Sequence, residues 1–115
     1  MQIEYDNEEV RRIFNDFGIM QKSIGKDLTR SVKKKLDNLV AANTFAIYLQ
    51  TGLGKPHSLE GDKKGMYGIN VSASMRLIVK PVVNDLSSES LKKCDLIIIK
   101  GVEDYHGTKN EWIIP

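Results

Sequence analysis

The chain has 115 residues, the usual size of one domain, which leaves too few residues for a second core. Its hydrophobic fraction of 41% and charged fraction of 28% exclude a highly charged disordered tail. Because Cys94 is the single cysteine and no long apolar run occurs, a disulfide framework and a membrane span are excluded. We therefore expect one domain over residues 1–115, located in the reducing cytoplasm.

The formal net charge of +2 is unevenly distributed along the chain. Residues 1–19 carry −3, residues 20–80 carry +7 and residues 81–115 carry −2. The lysine run 33–35 is typical of a solvated helix face, whereas a basic middle third is also typical of a protein that binds nucleic acid. Charge alone leaves both interpretations open.

The first half of the chain has the periodicity of helices. Residues 1–6 predict a short strand, and Asn7 then predicts the N-cap of a helix that Gly18 ends. Residues 27 to about 40 predict a longer amphipathic helix with Leu28, Val32, Leu36, Leu39 and Val40 on its apolar face. A separate short helix is expected within residues 41–50.

After Pro56 the pattern changes to short apolar runs separated by turn residues, which predicts an antiparallel meander. We expect its strands at residues 57–60, 66–71, 75–82 and 95–102, the last one central, with a loop or a turn of helix at 84–93. The predicted fold class is α+β: a small twisted antiparallel sheet with two or three N-terminal helices on one face and the other face open.

Few side chains in this pattern are suited to catalysis. The chain has no Walker loop, dinucleotide fingerprint, HExxH helix or nucleophile elbow. The run 104–106 holds two potential metal ligands, but adjacent strand residues diverge and a third ligand would have to come from far away, so a zinc site is improbable and no metal or cofactor is expected. Alternation in the third meander strand predicts that Arg76 and Lys80 project together from the open face. An Asp-Tyr-His run at a strand end is, by itself, more often a hydrogen-bonded cap than a catalytic group.

The same segments resemble the HigB branch of the RelE-type toxins. The resemblance rests on residues 58–71 (SLEGDKKGMYGINV), 75–78 (MRLI) and 102–106 (VEDYH), which match the family in order and spacing over about 50 residues except for one longer insert. The chain departs from the family at Met75, where an aromatic residue is usual, and at Glu60, where a basic residue or histidine is common. The segment 84–93 and the tail 107–115 are also longer.

The resemblance implies a RelE-like fold and a ribosome-dependent endonuclease that cleaves translated mRNA by attack of the 2′-hydroxyl without a metal. It implies that Arg76, Asp104, Tyr105 and His106 are catalytic. It also implies two partners, the ribosome with its mRNA and a helix-turn-helix (HigA-like) antitoxin. The alternative is a non-catalytic RNA- or protein-binding module on the same fold.

The remaining polar and aromatic residues have less specific expectations. Lys63 and Lys64, in a loop beside the sheet, are candidates for RNA contact together with Lys80, although solubility explains the two loop lysines equally well. His57 is interpreted as a strand-edge residue. Trp112 is expected to anchor the tail against the core, with stacking on a base as the alternative.

Overall fold

The computed structural model describes residues 1–105 and 110–115. The helices are α1 (Glu8–Phe14), α2 (Phe17–Ile24), α3 (Lys26–Ala41), α4 (Phe45–Thr51) and α5 (Ser88–Lys92). The strands are β1 (Gln2–Tyr5), β2 (His57–Ser58), β3 (Tyr67–Asn70), β4 (Met75–Pro81), β5 (Leu96–Asp104) and β6 (Glu111–Ile114). The predicted α+β class is confirmed, although four helices rather than two or three precede the meander. Over the described residues, no helix has the length and apolar composition needed to cross a membrane.

The six strands form one sheet, in which five follow the order β1-β5-β4-β3-β2 and the sixth, β6, pairs with β5. The predicted meander is confirmed, because β2, β3, β4 and β5 pair antiparallel with their sequence neighbours. The expected antiparallel sheet has one parallel edge, since β1 pairs with residues 96–99 of β5 in parallel. Strand β6 pairs with residues 102–104 of the same strand. Strand β5 is therefore central, as predicted.

The main hydrophobic core lies between the helices and one face of this sheet. Every second side chain of the strands enters it, as expected for a period of two. The buried strand residues in the core are Tyr67, Ile69, Leu77, Val79, Ile97, Ile99, Val102 and Ile114. The buried helix residues that meet them are Val10, Ile13, Phe14, Met20, Val32, Leu36, Leu39, Phe45, Tyr48 and Leu91. The other sheet face carries polar side chains together with Ile78, Ile98 and Trp112.

The N-terminal helical region differs from the prediction at Gly18. Helix α1 is capped by Asn7 as predicted, but it ends at Phe14, and Gly18 lies in the first turn of α2. Asp16 caps α2, because its carboxylate accepts hydrogen bonds from the backbone N–H groups of Gly18 at 3.0 Å and Ile19 at 3.2 Å. An aspartate N-cap therefore starts a helix where the glycine suggested an end.

Helix α3 matches its predicted span closely, and its buried face differs from the prediction near each end. Val32, Leu36 and Leu39 are buried as expected, whereas Val40 is 55% exposed. Thr29 is buried instead. Val40 lies at the C-terminal end of the helix, where its carbonyl oxygen accepts a hydrogen bond from the N-terminal ammonium of Met1 at 2.9 Å.

Two irregularities in register change which residues of β5 and β6 face the core. Between Ile78 and Val79 of β4, the partner on β5 changes from Gly101 to Ile99, so Lys100 is an extra residue. Between Val102 and Glu103 of β5, the partner on β6 changes from Ile114 to Trp112, so Ile113 is extra. Such bulges reverse the alternation of side chains along a strand. Val102 and Ile114 consequently enter the core, and Glu103 and Trp112 lie on the opposite face.

Residues 111–114 of the tail form a strand. Strand β6 was not predicted, and the core residue that anchors it is Ile114, which is fully buried. Trp112 was expected to be that anchor, and this expectation was wrong, since Trp112 is 43% exposed. The side chain that packs into the core is therefore two residues further along the chain.

We expect the buried Tyr48 of α4 to cause a specific loss of stability at alkaline pH. Its side chain is fully buried, its hydroxyl donates to the Leu53 carbonyl oxygen at 2.5 Å, and burial raises its pKa from 10.0 to about 12. Because the pKa is raised in the folded state, this contribution to stability is present below pH 10 and is lost as the pH rises to about 12. Tyr48→Phe should therefore flatten the dependence of the unfolding free energy on pH in this range, while costing about 1 kcal/mol at neutral pH. Urea unfolding between pH 8 and 12 measures both; an unchanged alkaline slope would contradict the prediction.

Candidate functional site

The sheet face opposite the helices carries a row of polar and aromatic side chains across four strands. Direct strand pairing aligns Trp112 of β6 with Glu103 of β5, Glu103 with Arg76 of β4, and Arg76 with Asn70 of β3. Side chains at directly paired positions project from the same face of a sheet. The row therefore brings together residues that are far apart in sequence.

A buried ion pair lies at the centre of this row. Glu103 is fully buried, and its Oε1 accepts a hydrogen bond from Arg76 Nε at 2.9 Å and lies 2.7 Å from Arg76 Nη2 in an ion pair. The Arg76 side chain is only 12% exposed. The expectation that Arg76 is exposed on an open sheet face was wrong, because Glu103 holds the guanidinium against the sheet and the ring of Tyr105 lies 4.6 Å from its central carbon.

Lys63 supplies a second cation to the same carboxylate. Its Nζ lies 2.8 Å from Glu103 Oε2, and its side chain is 13% exposed. Apart from this charge contact, Oε2 accepts no well-oriented hydrogen bond within residues 1–105 and 110–115. The Lys63 ammonium also lies 5.4 Å from the centroid of the Trp112 ring. Lys63 is therefore a structural member of the row rather than a freely solvated loop residue.

His57 joins the row from β2. Arg76 Nη1 lies 3.2 Å from His57 Nε2, and His57 Nδ1 lies 3.1 Å from the carbonyl oxygen of Lys55. Because a guanidinium can only donate and a carbonyl can only accept, both contacts are hydrogen bonds in the tautomer that carries its proton on Nδ1. The lone pair of Nε2 therefore faces the Arg76 guanidinium. His57 as a whole residue is exposed to solvent.

Gly68 makes room for this contact. A Cβ at position 68 would lie 3.0 Å from Arg76 Cδ and 3.3 Å from His57 Cε1. These distances are tighter than ordinary van der Waals contacts, so a side chain here would push the two residues apart. Gly68 is therefore a close-packing residue.

Tyr105 completes the described part of the site at the end of β5. Its hydroxyl donates to Asn70 Oδ1 at 2.9 Å, and its backbone N–H donates to the Ser74 carbonyl oxygen at 2.9 Å. The first contact fixes the phenol beside the guanidinium, and the second fixes the strand end against the β3–β4 turn. A phenol, a guanidinium and an imidazole thus lie within one small region.

The other candidate residues have different positions. Asp104 pairs with Met75, a residue packed against the core, so strand alternation directs the Asp104 side chain to the face opposite Arg76 and Tyr105. His106 lies outside the described residues. Lys64 and Lys80 are exposed. Lys80 shares a sheet face with Arg76 as predicted, but the buried Ile78 separates them.

Comparison with known proteins was informative at the level of fold. No protein-family model matches the chain, and no curated protein matches it by sequence. Among solved structures, a chain of the YoeB-YefM complex from Staphylococcus aureus is similar, with a TM-score of 0.55 and 17% sequence identity. The similarity covers 93% of this chain and 98% of that chain. The chain has a RelE-like fold.

The RelE-like fold explains how the site is assembled. The meander brings β3, β4 and β5 side by side, and the helices pack on one face only, so polar side chains of three strands meet one another on the other face. No group of three His, Cys, Asp or Glu side chains suited to a metal ion occurs in the part of the chain that the structure describes. The chemistry available there is that of an imidazole, a guanidinium, an ammonium and a phenol.

Sequence reasoning did not assign three residues of this site. His57 was interpreted as a strand-edge residue, Glu103 was quoted within a motif without a function, and Asn70 was not considered. The pairing of β2 with β3 brings His57 to the site, and this pairing was itself predicted. Extending the alternation argument from Arg76 to the facing strands was therefore sufficient to find His57 and Asn70, whereas Glu103 depends on the bulge at Lys100.

Proposed function

We propose that the chain is the HigB-type toxin of a type II toxin–antitoxin system and that it cleaves mRNA on the ribosome. The RelE-like fold, which extends over nearly all of both compared chains, supports the superfamily. The HigB-like segments between residues 58 and 106 support the branch. The observation that carries the proposal is the convergence of His57, Arg76 and Tyr105 on the uncovered sheet face.

The proposed reaction is the internal attack of a ribose 2′-hydroxyl on the adjacent phosphate. The O2′–P bond forms, the P–O5′ bond breaks, and the products are a 2′,3′-cyclic phosphate and a 5′-hydroxyl. When RNA binds, the Arg76 guanidinium leaves His57 for the phosphate and offsets the negative charge that grows on the phosphorane. The His57 Nε2 lone pair is then free to accept the 2′-hydroxyl proton. His106 or Tyr105 donates a proton to the leaving oxygen, and this step requires no metal.

The proposal assigns the remaining candidates according to their exposure. Lys64 and Lys80 are exposed cations beside the site and contact RNA phosphates. Lys63 contributes positive potential, but its ammonium is already paired with Glu103. Asp104 does not contact the reacting phosphate, because its side chain leaves β5 on the other face, and it supports the strand end that carries Tyr105 and His106.

The ribosome and an antitoxin are the proposed partners. Correct placement of reacting groups contributes roughly 7–11 kcal/mol to lowering a barrier, and a shallow sheet face holds a flexible RNA chain poorly. The ribosome supplies that placement in the cytoplasm, with exposed cations of α3 such as Lys33 and Lys34 facing ribosomal RNA. The similar structure comes from a complex, YoeB-YefM, which supports a protein partner; we propose a helix-turn-helix, HigA-like antitoxin.

One observation favours the alternative of a module that binds RNA or protein without cleaving. Glu103 already neutralises part of the charge of Arg76, so the guanidinium has less charge to offer a phosphorane. If this internal pair persists when RNA is bound, the site retains affinity and loses catalytic power. The two proposals therefore concern the same site and differ in the rate of mRNA cleavage that they predict.

Expression and cleavage assays separate the two. We expect that induction of this chain alone arrests the growth of a bacterial host and shortens transcripts within their reading frames. Purified protein should cut mRNA on programmed ribosomes far faster than it cuts the same RNA free in solution. His57→Gln is the test variant, and Ile47→Ala, an exposed substitution on the remote helix α4, is the control. Unimpaired growth with intact transcripts at full expression would support the binding module, and equal rates on free RNA would exclude the ribosome requirement.

A further inference from the structure

We propose that Trp112 is a stacking platform for a nucleobase of RNA bound at the Arg76 site. The inference rests on the proposed function only for the identity of the polymer. The position of Trp112 in the fold, its exposure and its charged neighbours point to a flat aromatic ligand that is linked to an anion. The tail that carries Trp112 extends beyond the segments that resemble the HigB toxins, so the platform is a feature of this chain.

The local backbone directs Trp112 towards the site. In a strand without a bulge, Trp112 and Ile114 would project from the same face, because they are two residues apart. The bulge lets Ile114 enter the core while Trp112 pairs with Glu103 on the opposite face. Bulges beside functional sites often redirect a side chain in this way. The buried Ile114 anchors the strand, and the indole is held on the same face as Arg76.

The indole is fixed but not covered. Lys63 Nζ lies 5.4 Å from the ring centroid and 2.8 Å from Glu103 Oε2, so one ammonium links the ring to the buried carboxylate. Even so, 43% of the Trp112 surface remains accessible. A residue that anchors a tail would be buried, as Ile114 is. A held and exposed indole is better explained as a binding surface.

The distance to Arg76 suits one short stretch of single-stranded RNA. Trp112 and Arg76 lie on the two strands that flank β5, which are two strand spacings or about 10 Å apart. Proteins that bind single strands combine an aromatic face for a base with cations for the backbone. Arg76, Lys63 and the exposed Lys64 supply the cations here. A purely acidic partner would use these cations and leave the indole without a partner.

Trp112 is the single tryptophan of the chain, so its fluorescence reports on this site alone. The probe is a 2′-O-methyl hexanucleotide, which binds without being cleaved because its 2′-oxygen cannot attack. We expect saturable quenching by this probe and none by inorganic tripolyphosphate, which has phosphates but no bases, or by a hexaglutamate peptide. Quenching by tripolyphosphate to the same extent, or no quenching by the hexanucleotide up to millimolar concentration, would overturn the proposal.

Variants at position 112 test the same inference without fluorescence. Equilibrium dialysis measures the affinity for the labelled hexanucleotide. In Trp112→Ala this affinity should fall by about 5- to 150-fold, the range for the loss of one stacked base. Trp112→Phe should recover most of the affinity, and Ile47→Ala, which removes an equally exposed side chain from α4, should leave it unchanged. A melting curve establishes that each variant is folded. Equal affinity of Trp112→Ala and the wild type would refute stacking.

The outcomes for the platform and for the enzyme are separable. If the hexanucleotide quenches Trp112 and the chain neither arrests growth nor cleaves mRNA, the platform stands and the endonuclease proposal fails. If the chain cleaves mRNA on ribosomes and neither quenching nor the Trp112→Ala defect occurs, the endonuclease stands and the platform fails.

Discussion

Replacing Arg76 with alanine should slow mRNA cleavage on the ribosome by about a hundredfold to a thousandfold, the effect of losing one donor that stabilises transition-state charge. The same change should lower the unfolding free energy by about 3 kcal/mol. Both effects have one origin, since Arg76 faces the reacting phosphate in the proposed function and also pairs with the buried Glu103. Lys63 remains beside the other carboxylate oxygen, so the cost in stability falls at the lower end for a broken buried ion pair.

A second substitution separates the two consequences. In the double variant Arg76→Ala, Glu103→Gln, the buried charge is gone, and most of the lost stability should return because an amide costs less to bury than an unpaired carboxylate. Cleavage should stay at the level of Arg76→Ala. Urea unfolding and single-turnover cleavage on programmed ribosomes measure the two quantities. If the double variant regains the wild-type rate, Arg76 serves only to compensate Glu103 and takes no part in the chemistry.

Much of this fold can be predicted from the sequence, because the hydrophobic patterns that specify its helices and strands are local. The apolar stripe of α3 and the period-two runs of the meander each depend on neighbouring residues, and both are found where they were predicted. Gly18 shows where such reasoning fails. A glycine is typical of a helix end, but the competing signal, the Asp16 cap, determined the outcome.

The site is harder to predict from the sequence, because the side-chain alternation along β5 decides which of its residues face the site. Simple alternation from Ile97 and Ile99 would direct residue 103 into the core and residue 102 away from it. The extra residue Lys100 reverses that assignment, and its ammonium pairs with Asp6 at 2.7 Å, a contact 94 residues away in sequence. The sequence around position 100 contains no turn signal that would reveal the bulge except Gly101. Arg76 was therefore predictable as a site residue, whereas its carboxylate partner was not.

Gly101→Ala should be among the most damaging single substitutions in the chain, with an expected loss of about 3–5 kcal/mol of unfolding free energy. Gly101 has φ of +145°, which side chains rarely adopt, and a Cβ there would overlap the carbonyl oxygen of Ile114. The contact is with backbone, so relief requires β6 to move away from β5. Because β6 carries Trp112, its displacement should also shift the fluorescence maximum of the folded variant to longer wavelength.

Gly52→Ala is the matched control for this substitution. Gly52 also has positive φ, at +67°, but nothing lies within 4 Å of its Cβ position, so alanine there should cost only about 1–2 kcal/mol. Both variants reduce the freedom of the unfolded chain equally, and the difference between them measures the steric conflict with β6 together with the greater backbone strain at φ of +145°. Thermal and urea unfolding of the pair, with the emission spectrum of Trp112, provide the measurement. Equal stability of the two variants would mean that β6 does not pack against Gly101, and the bulge that aligns Glu103 with Trp112 would then have to be abandoned.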